Sequence, residues 1–216
     1  MVGKGLEARI TEFYAFLKIP EKNLHWFLLK TTRPASFSFG YGQYVILEED
    51  GSPFRKKTLA LASSPHEGSF LSFVVAEKEG FRLNHGLKLS VPQGGFPALD
   101  AKKIFIVTHG VGITAVTGIL HDIAKGRLKI DCQCLWGIRR HSELSLLEKL
   151  GIPSSMVEPV FSQEKGLRQG YVQDHLWEFF SKDYLYLLSG SAPMLQAVKD
   201  KLLGLGAHES QIYLNF

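Results

Sequence analysis

The sequence predicts two folds in one chain: an antiparallel β-sandwich or small β-barrel, followed by an α/β domain with a parallel sheet. Up to about Phe96 the chain consists of short alternating runs separated by Gly and Pro, which is typical of antiparallel strands. From Lys102 onward compact apolar runs alternate with amphipathic segments, the pattern of a doubly wound sheet. With 216 residues, 45% of them hydrophobic, the chain can form two cores, and we place the domains at 1–99 and 100–216.

The strands of the first half are predicted from their alternation and from the turns between them. Residues 49–53 (Glu-Asp-Gly-Ser-Pro) and 65–68 (Pro-His-Glu-Gly) are rich in residues that favour turns. The predicted strands are 44–48, 57–62, 70–76 and 87–91.

The second half alternates strand and helix. Residues 104–107 (Ile-Phe-Ile-Val) are continuously apolar, as in a strand that is buried on both faces, and an amphipathic segment follows at 116–125. The remaining predicted strands are 128–136, 156–161, 184–188 and 211–213, and the remaining predicted helices are 142–150, 174–180 and 194–205.

Charge and cysteine content exclude several classes of protein. A net charge of +4, with no run of five like charges, is too weakly basic for dedicated nucleic-acid binding. Cys132 and Cys134 alternate within an apolar run, so we expect buried free thiols rather than a disulfide or metal ligands. The N-terminal residues lack an apolar signal segment, and no apolar stretch is long enough to span a membrane. We therefore expect a cytoplasmic protein.

Two strand-to-helix turns carry the glycines that a nucleotide site needs. In residues 107–114 (Val-Thr-His-Gly-Val-Gly-Ile-Thr) an apolar strand runs into two glycines two positions apart, and residues 188–194 (Leu-Ser-Gly-Ser-Ala-Pro-Met) repeat the design. Both turns are expected at the carboxyl edge of the sheet, where ligands bind in such folds. The third glycine of the dinucleotide fingerprint is missing, so a purely structural turn stays open as an alternative.

Metal and hydrolase chemistry find no support in the sequence. The eight histidines are scattered, and no pair has the helical spacing of a metal site. The Gly-x-Ser-x-Gly elbow of hydrolases is absent, and the serines of the second turn have no histidine at triad spacing. We expect no metal.

The order of the motifs resembles the ferredoxin–NADP reductase superfamily, in which a flavin-binding β-barrel precedes a nicotinamide-nucleotide domain. The resemblance extends over nearly the whole chain. The matching segments are 41–44 (Tyr-Gly-Gln-Tyr), 57–65 (Lys-Thr-Leu-Ala-Leu-Ala-Ser-Ser-Pro), 86–96 (Gly-Leu-Lys-Leu-Ser-Val-Pro-Gln-Gly-Gly-Phe), 108–115 (Thr-His-Gly-Val-Gly-Ile-Thr-Ala), 136–139 (Trp-Gly-Ile-Arg) and 188–194.

The resemblance implies an N-terminal β-barrel, a C-terminal NAD(P)-binding domain, and a flavoprotein that uses FAD (or FMN) with NADH or NADPH. It also implies a set of site residues. Those placed at the reacting rings are Ser189 and Phe216, and those placed at the cofactors are Lys57, Thr58, Leu59, Ala60, Gly80, Arg82, Asn84, His109, Gly110, Gly112, Thr114, Arg139, Ser162, Gly190, Pro193 and Met194.

The flavin motif departs from the family. Where relatives have Arg-x-Tyr-Ser, this chain has Lys57, Leu59 and Ala60, so the guanidinium fork, the stacking ring and the hydroxyl are all replaced. The segment 79–86, where relatives hold the FAD pyrophosphate, is shortened. In the nucleotide domain His109 replaces a glycine and Ser189 replaces the usual cysteine.

The choice of coenzyme is expected to depend on the segment 160–164 (Val-Phe-Ser-Gln-Glu). NADPH-selective relatives often carry Ser-Arg there, whereas Gln163 and the acidic Glu164 favour NADH. Arg168 and Tyr171 are candidates that reverse this preference. At the C-terminus the family often has Glu-x-aromatic, and Leu214 removes the acidic group while Phe216 keeps a ring.

Two functions stay open. In the first, NAD(P)H gives a hydride to a bound flavin, which passes electrons to a separate acceptor protein such as a ferredoxin or flavodoxin. In the second, the chain is a reductase-like module that has lost the flavin and acts through nucleotide binding or a protein partner. The altered residues at 57, 59 and 60 motivate the second.

Overall fold

The computed structural model describes residues 6–19, 23–49, 56–78, 83, 86–97 and 99–215, and the chain divides into two compact units, Met1–Gly95 and Phe96–Phe216. The first unit is built from antiparallel strands. These are β1 (Leu6–Ile19), β2 (Leu24–Thr32), β3 (Gln43–Glu49), β4 (Lys56–Ala60), β5 (Phe70–Glu77), β6 (Gly86–Leu89) and β7 (Gln93–Gly94).

The antiparallel sheet has the order β4-β3-β6-β1-β2-β5, with β7 paired to β3. The two edge strands approach each other: Lys57 of β4 forms an ion pair with Glu77 at the end of β5, and the backbone N–H of Ala62 donates to the carbonyl of Ser72 at 2.9 Å. These contacts close the sheet into a barrel around a core of aliphatic and phenylalanine side chains.

The second unit is a five-stranded parallel sheet with helices on both faces. Its strands are β8 (Lys103–His109), β9 (Asp131–Ile138), β10 (Glu158–Phe161), β11 (Leu185–Ser189) and β12 (Ile212–Asn215), and its helices are α1 (Thr117–Ala124), α2 (Ser145–Leu150), α3 (Leu176–Phe179) and α4 (Ala192–Leu205).

Residues alternate between the two faces of this sheet. Phe105 and Val107 of β8 face the core that α3 and α4 cover, together with Leu188 of β11. Ile104 and Ile106 point to the opposite face and are equally buried, with exposures of 0%. Burial on both faces explains why these strands are continuously apolar in sequence.

The fold confirms the predicted fold class and extends it. The predicted strands and helices of the second half are all present with shifted ends. The turn after β8 does not lead directly into an α-helix: a 3₁₀ helix spans Gly110–Val116 before α1 begins. The strands β1 and β2 were not among those predicted. Because most side chains of β1 are exposed or half-buried, its sequence carries little of the hydrophobic pattern that predicts a strand.

Candidate functional site

The carboxyl ends of the parallel strands form the candidate site. The strand order is β10-β9-β8-β11-β12. The strands that follow β8 in the chain, β9 and β10, lie on one side of it, and the later strands β11 and β12 lie on the other side. The boundary between β8 and β11 is therefore the topological switch point, the place at which folds of this type form a crevice for ligands. Both glycine turns singled out in the sequence lie at this point, immediately after Thr108-His109 and Ser189.

The second glycine of the first turn packs directly on the second turn. A Cβ atom on Gly112 would lie 2.7 Å from the carbonyl oxygen of Ser189 and 3.0 Å from the Cα of Gly190. A side chain at this position would push the two turns apart. Gly110 has open space around it, but its φ of +53° lies in the left-handed region, so glycine is favoured there for its backbone conformation.

Buried side chains hold the first turn in shape. The indole Nε1 of Trp136, on the adjacent strand β9, donates to the carbonyl of Gly110 at 2.9 Å. The hydroxyl of Thr114 donates to the carbonyl of Val111 at 2.7 Å. Thr114 was predicted at the cofactor, and the structure uses its hydroxyl inside the loop. Trp136 was quoted only as part of a motif, and its position one residue before Gly137 does not reveal this contact.

His109 lies across the ends of three strands. Its Cδ2 atom lies 3.0 Å from where a Cβ on Gly137 of β9 would be, and its Cβ lies 3.4 Å from the corresponding point on Gly190, after β11. The side chain therefore occupies space that glycines on both neighbouring strands leave open. It is half-buried at the carboxyl edge. The placement of His109 beside a bound pyrophosphate stays a prediction.

Polar residues form a row on one face at this edge. Parallel pairing places Thr108 of β8 beside Ser189 of β11, and Ser189 beside Asn215 of β12. All three are buried, with exposures of 0%, 4% and 8%. Among the described residues, the hydroxyl of Thr108 has no hydrogen-bond partner. Ser189 was predicted at the reacting ring, whereas no sequence pattern singled out Thr108.

The second turn leads into the longest helix of this unit. Gly190 has a φ of +156°, and a Cβ there would lie 3.1 Å from the Cε of Met194, which folds back over the turn. The N-cap residue Ser191 makes no side-chain capping bond, and Pro193 lies in the first turn. The N–H groups at the start of this 14-residue helix are therefore not capped by that side chain and can bind an anion.

The turn after β9 is fixed by a buried carboxylate. Glu143, 3% exposed, accepts bonds from the backbone N–H groups of Arg139 and Arg140 at 2.8 and 3.2 Å. The residue after β10 also bonds to the end of β9: the backbone N–H of Ser162 donates to the carbonyl of Ile138 at 2.9 Å. The predicted site residues Arg139 and Ser162 thus lie side by side at the carboxyl edge.

A histidine–carboxylate pair follows this contact. One carboxylate oxygen of Glu164, Oε2, accepts from the backbone N–H of His141 at 2.7 Å and lies 2.8 Å from its ring Nδ1. The imidazole stacks on Phe161, with 4.0 Å between ring centroids and 18° between planes. These bonds from the His141 backbone and ring, followed by the nearby charges of His141 and Arg140, lower the pKa of Glu164 and keep it ionised.

The Arg168 guanidinium is engaged by two carboxylates and a ring. Its Nη1 pairs with Glu158 at 2.9 Å, its Nε pairs with Glu178 at 3.1 Å, and its guanidinium lies over the Phe179 ring at 4.8 Å. Tyr171 is exposed at the surface, and its backbone N–H donates to Asp174. The cation that was considered as a phosphate ligand is thus already neutralised.

The predicted flavin residues lie on β4 of the barrel. Lys57 is paired with Glu77, and Leu59 packs against the barrel core opposite the buried Val45. Thr58 is exposed, and Ala60, half-buried, has no polar side chain to offer. The described part of β4 offers the Thr58 hydroxyl, and it provides neither a stacking ring nor an uncompensated cation at positions 57 and 59. A flavin site at these residues stays a prediction.

Four predicted site residues, Gly80, Arg82, Asn84 and Phe216, lie outside the described residues. Within the described part of the chain, no three His, Cys, Asp or Glu side chains come together as a metal site would require. No helix in the same residues is long and apolar enough to cross a membrane.

Comparison with curated proteins gives partial matches. No protein-family model matches the chain. An alignment of 119 residues, covering 50% of this chain, is 29% identical to the reductase component 2 of terephthalate 1,2-dioxygenase from Comamonas sp.. The aligned region spans 35% of that protein, so the chain matches about a third of the length of this relative.

Comparison with solved structures covers nearly the whole chain. The ferredoxin NADP+ reductase from Neisseria gonorrhoeae, solved with bound FAD and NADP, has a TM-score of 0.78 at 17% identity, over 98% of both chains. The ferredoxin reductase in carbazole 1,9a-dioxygenase has a TM-score of 0.79 at 18% identity, over 97% of this chain and 68% of that one. Both barrel and parallel sheet are included in these matches. The chain therefore has the fold of the ferredoxin–NADP reductase-type FAD/NAD-binding modules, as its motifs indicated.

Proposed function

We propose that this chain is the NAD(P)H- and flavin-binding module of a reductase, which moves a hydride from nicotinamide to bound FAD and then passes electrons to a separate acceptor protein. The observation that carries the proposal is the contact of Gly112 with the Ser189 carbonyl, which brings two glycine turns together at the switch point of the sheet. The fold shared with reductases over nearly the whole chain supports it.

The residues of the second unit fit a dinucleotide. The loop at Gly110–Gly112 leaves backbone open toward the crevice, and the uncapped start of α4 provides N–H groups for an anion. His109 lies where it can contact the pyrophosphate. Ser189, buried at the end of β11, lines the position of the nicotinamide ring and holds it in one orientation.

When bound, FAD supplies the redox chemistry: it accepts a hydride, two electrons with one proton, and releases the electrons one at a time. The chain's own residues would bind and orient each cofactor ring in the unit that holds it. Lys57, Thr58 and the backbone of 58–60 are the described groups that would hold the flavin side. An acceptor such as a ferredoxin or flavodoxin is part of the proposal, and the cytoplasmic location expected from the sequence stays a prediction.

A second function is favoured by a specific observation. Lys57 is neutralised by Glu77 and Leu59 packs into the barrel core, so the side chains best placed to bind a flavin are engaged elsewhere. On that basis the alternative is a module that binds the dinucleotide without a flavin and acts through a protein partner.

Activity with ferricyanide distinguishes the two. The full chain is supplied with FAD, and the rate of ferricyanide reduction by NADH and by NADPH is measured. We expect turnover that requires FAD and falls about tenfold in Ser189→Ala, because the nicotinamide loses its positioning contact. Ser155→Ala, an exposed serine that precedes β10, is the matched control and keeps the rate. Nucleotide binding without turnover would instead support the flavin-free alternative.

A further inference from the structure

Three large apolar side chains of the second unit are exposed close together. Leu167 is 89% exposed, Trp177 65% and Tyr171 59%, whereas the next most exposed large apolar side chain in the described part of this unit, Leu203 on α4, is 37% exposed. Single exposed apolar residues are common on soluble proteins, but a group of them on one surface indicates an interaction site. We call Leu167, Tyr171 and Trp177 the Trp177 surface.

The loop that follows β10 carries two of these side chains, and it is bonded to α3, which carries the third. The Nε of Arg168 pairs with Glu178 at 3.1 Å, and its guanidinium lies 4.8 Å from the centre of the Phe179 ring. The Nε2 atom of His175, the residue before α3, lies 3.0 Å from the carbonyl oxygen of Gln169. Each of these bonded residues is one or two positions from an exposed apolar side chain. The three side chains therefore lie on one continuous surface.

The loop is packed tightly and presents Leu167 from an ordered backbone. A Cβ on Gly166 would overlap the ring of Phe161, so the loop lies directly against the end of β10. The N–H of Phe161 donates to the carbonyl of Arg168 at 3.0 Å, and the N–H of Gly170 donates to the carbonyl of Phe161 at 2.9 Å. Because these contacts already fix the loop, a partner that binds it has little backbone entropy to remove.

We propose that the Trp177 surface is the contact between two copies of this chain, related by a two-fold axis. In such an interface the same surface meets itself, so Trp177 of one copy packs against Leu167 and Tyr171 of the other. This inference goes beyond the proposed function, because it requires neither a cofactor nor an electron acceptor.

The exposed apolar area matches what a stable dimer needs. With the usual size of these side chains, their exposed fractions correspond to roughly 450 Å² in one copy. Two copies would bury about 900 Å² in this way. A standard interface buries about 1,600 Å² in total, and about 57% of that area is apolar. The six side chains would thus supply the apolar share of an interface of standard size.

The charges around the surface favour a second copy over a strongly charged partner. Arg168 lies between the carboxylates of Glu158 and Glu178, at 2.9 and 3.1 Å. Lys165 and Asp174 are exposed, lie within three positions of the apolar residues, and have opposite signs. A two-fold axis can bring Lys165 of each copy toward Asp174 of the other. A partner of one net sign would be attracted by some of these charges and repelled by the others.

Sedimentation equilibrium of the full chain, at about 1 to 200 μM, tests the proposal. We expect the mass to rise with concentration from that of one chain toward that of two. Trp177→Ser and Leu167→Ser should each weaken association at least about tenfold, because each removes an apolar side chain from the centre of the interface. Phe70→Ser is the matched control: Phe70 is a 52% exposed aromatic residue of the first unit, and its replacement should leave the association unchanged.

The fluorescence of Trp177 reports the contact directly. Trp177 is 65% exposed, whereas Trp26 and Trp136 are 6% and 0% exposed. Acrylamide therefore quenches mainly Trp177 in the monomer, and we expect this quenching to fall severalfold at concentrations where the dimer forms. Trp177→Phe keeps an aromatic ring at the contact, so it should keep the dimer while removing the quenchable emission.

Three results would overturn the proposal. The first is a chain that stays monomeric over the whole concentration range, with Trp177 open to acrylamide throughout. The second is a dimer that forms equally well in Trp177→Ser and Leu167→Ser, because its interface would then lie elsewhere. The third is a monomeric chain whose Trp177 emission shifts to the blue with phosphatidylglycerol vesicles, which would assign the surface to a lipid membrane.

Loss of folding is checked separately. Both serine variants change exposed side chains, so their unfolding temperatures at about 1 μM, where the wild type is monomeric, should equal that of the wild type. With equal unfolding temperatures, weaker association of the variants supports the interface.

Discussion

The backbone of Gly112 rests against the carbonyl oxygen of Ser189, so closely that a Cβ on this glycine would lie 2.7 Å from that oxygen. The contact joins the loop after β8 to the loop after β11, and it exists only because residue 112 has no side chain. The close approach of the two loops therefore depends on one glycine. Its consequences can be measured without knowing the acceptor.

Gly112→Ala should destabilise the second unit and weaken nucleotide binding. The added methyl group must displace backbone atoms rather than a flexible side chain, and overpacking of this kind costs about 1–3 kcal/mol. Denaturant unfolding gives the free-energy change, and NADH titration gives the affinity. Gly204→Ala is the matched control: Gly204 lies in α4 with nothing within 4 Å of its Cβ position, so that variant should be neutral or slightly more stable. Equal behaviour of the two variants would contradict the role of Gly112.

Thr108→Val should stabilise the protein. The Thr108 hydroxyl is buried without a partner among the described residues, and a buried unsatisfied hydroxyl costs about 1–3 kcal/mol. Valine has nearly the same shape and suits a strand, so we expect a gain of about 1 kcal/mol in the free energy of unfolding. Thr108→Ser keeps the hydroxyl and should show no gain. A loss of stability in Thr108→Val would show that the hydroxyl has a partner, such as a buried water.

The sequence predicts those features of the structure that leave a local pattern, and it does not predict contacts between residues that are far apart in the chain. The strands of the parallel sheet and its glycine turns were predicted, because burial on both faces and tight turns leave a local pattern at 104–107 and 108–115. Two ion pairs were not predicted: that of Lys57 with Glu77 and that of His141 with Glu164. Each joins residues about twenty positions apart, and strand register decides whether they meet.

Arg168→Ala should lower stability without changing coenzyme preference. The guanidinium joins Glu158, the first residue of β10, to Glu178 and Phe179 of α3, with 18% of the side chain exposed. Loss of these contacts should cost about 1–2 kcal/mol, since both carboxylates are partly solvated. Thermal unfolding measures the loss, and the ratio of NADH to NADPH affinity should match the wild type. A selective loss of NADPH binding would show that Arg168 leaves its partners to bind a phosphate.

The two cysteines should be unreactive in the native protein. Burial, together with the charge of Asp131, raises the pKa of Cys132 to about 12, and burial raises the pKa of Cys134 as well. Because the thiolate is the reactive form, we expect slow reaction with Ellman's reagent at pH 8 and rapid reaction of both thiols after unfolding. The structure buries only Cys134 and leaves Cys132 half-buried, so the expectation of two buried thiols is correct for Cys134 alone. Rapid native-state labelling of Cys134 would contradict its buried position in β9.

The same thiols link stability to alkaline pH. Their folded pKa values lie above the unfolded value of about 8.5, so their contribution is complete below that pH and is lost as pH rises beyond it. Unfolding free energies at pH 8 and pH 10 should therefore differ more in the wild type than in the Cys132→Val, Cys134→Val double variant. If the change in unfolding free energy from pH 8 to pH 10 were the same in both proteins, the pKa values of the thiols would not differ between the folded and unfolded states.

The visible absorption spectrum shows whether this chain transfers reducing equivalents from NAD(P)H to a flavin, as we propose. The purified chain is titrated with FAD, separated from free flavin, and then given NADH without oxygen. We expect a protein-bound flavin band that bleaches on addition of NADH. A chain that retains neither FAD nor FMN, yet binds NADH, would contradict it and leave the flavin-free nucleotide-binding module as the function of this fold.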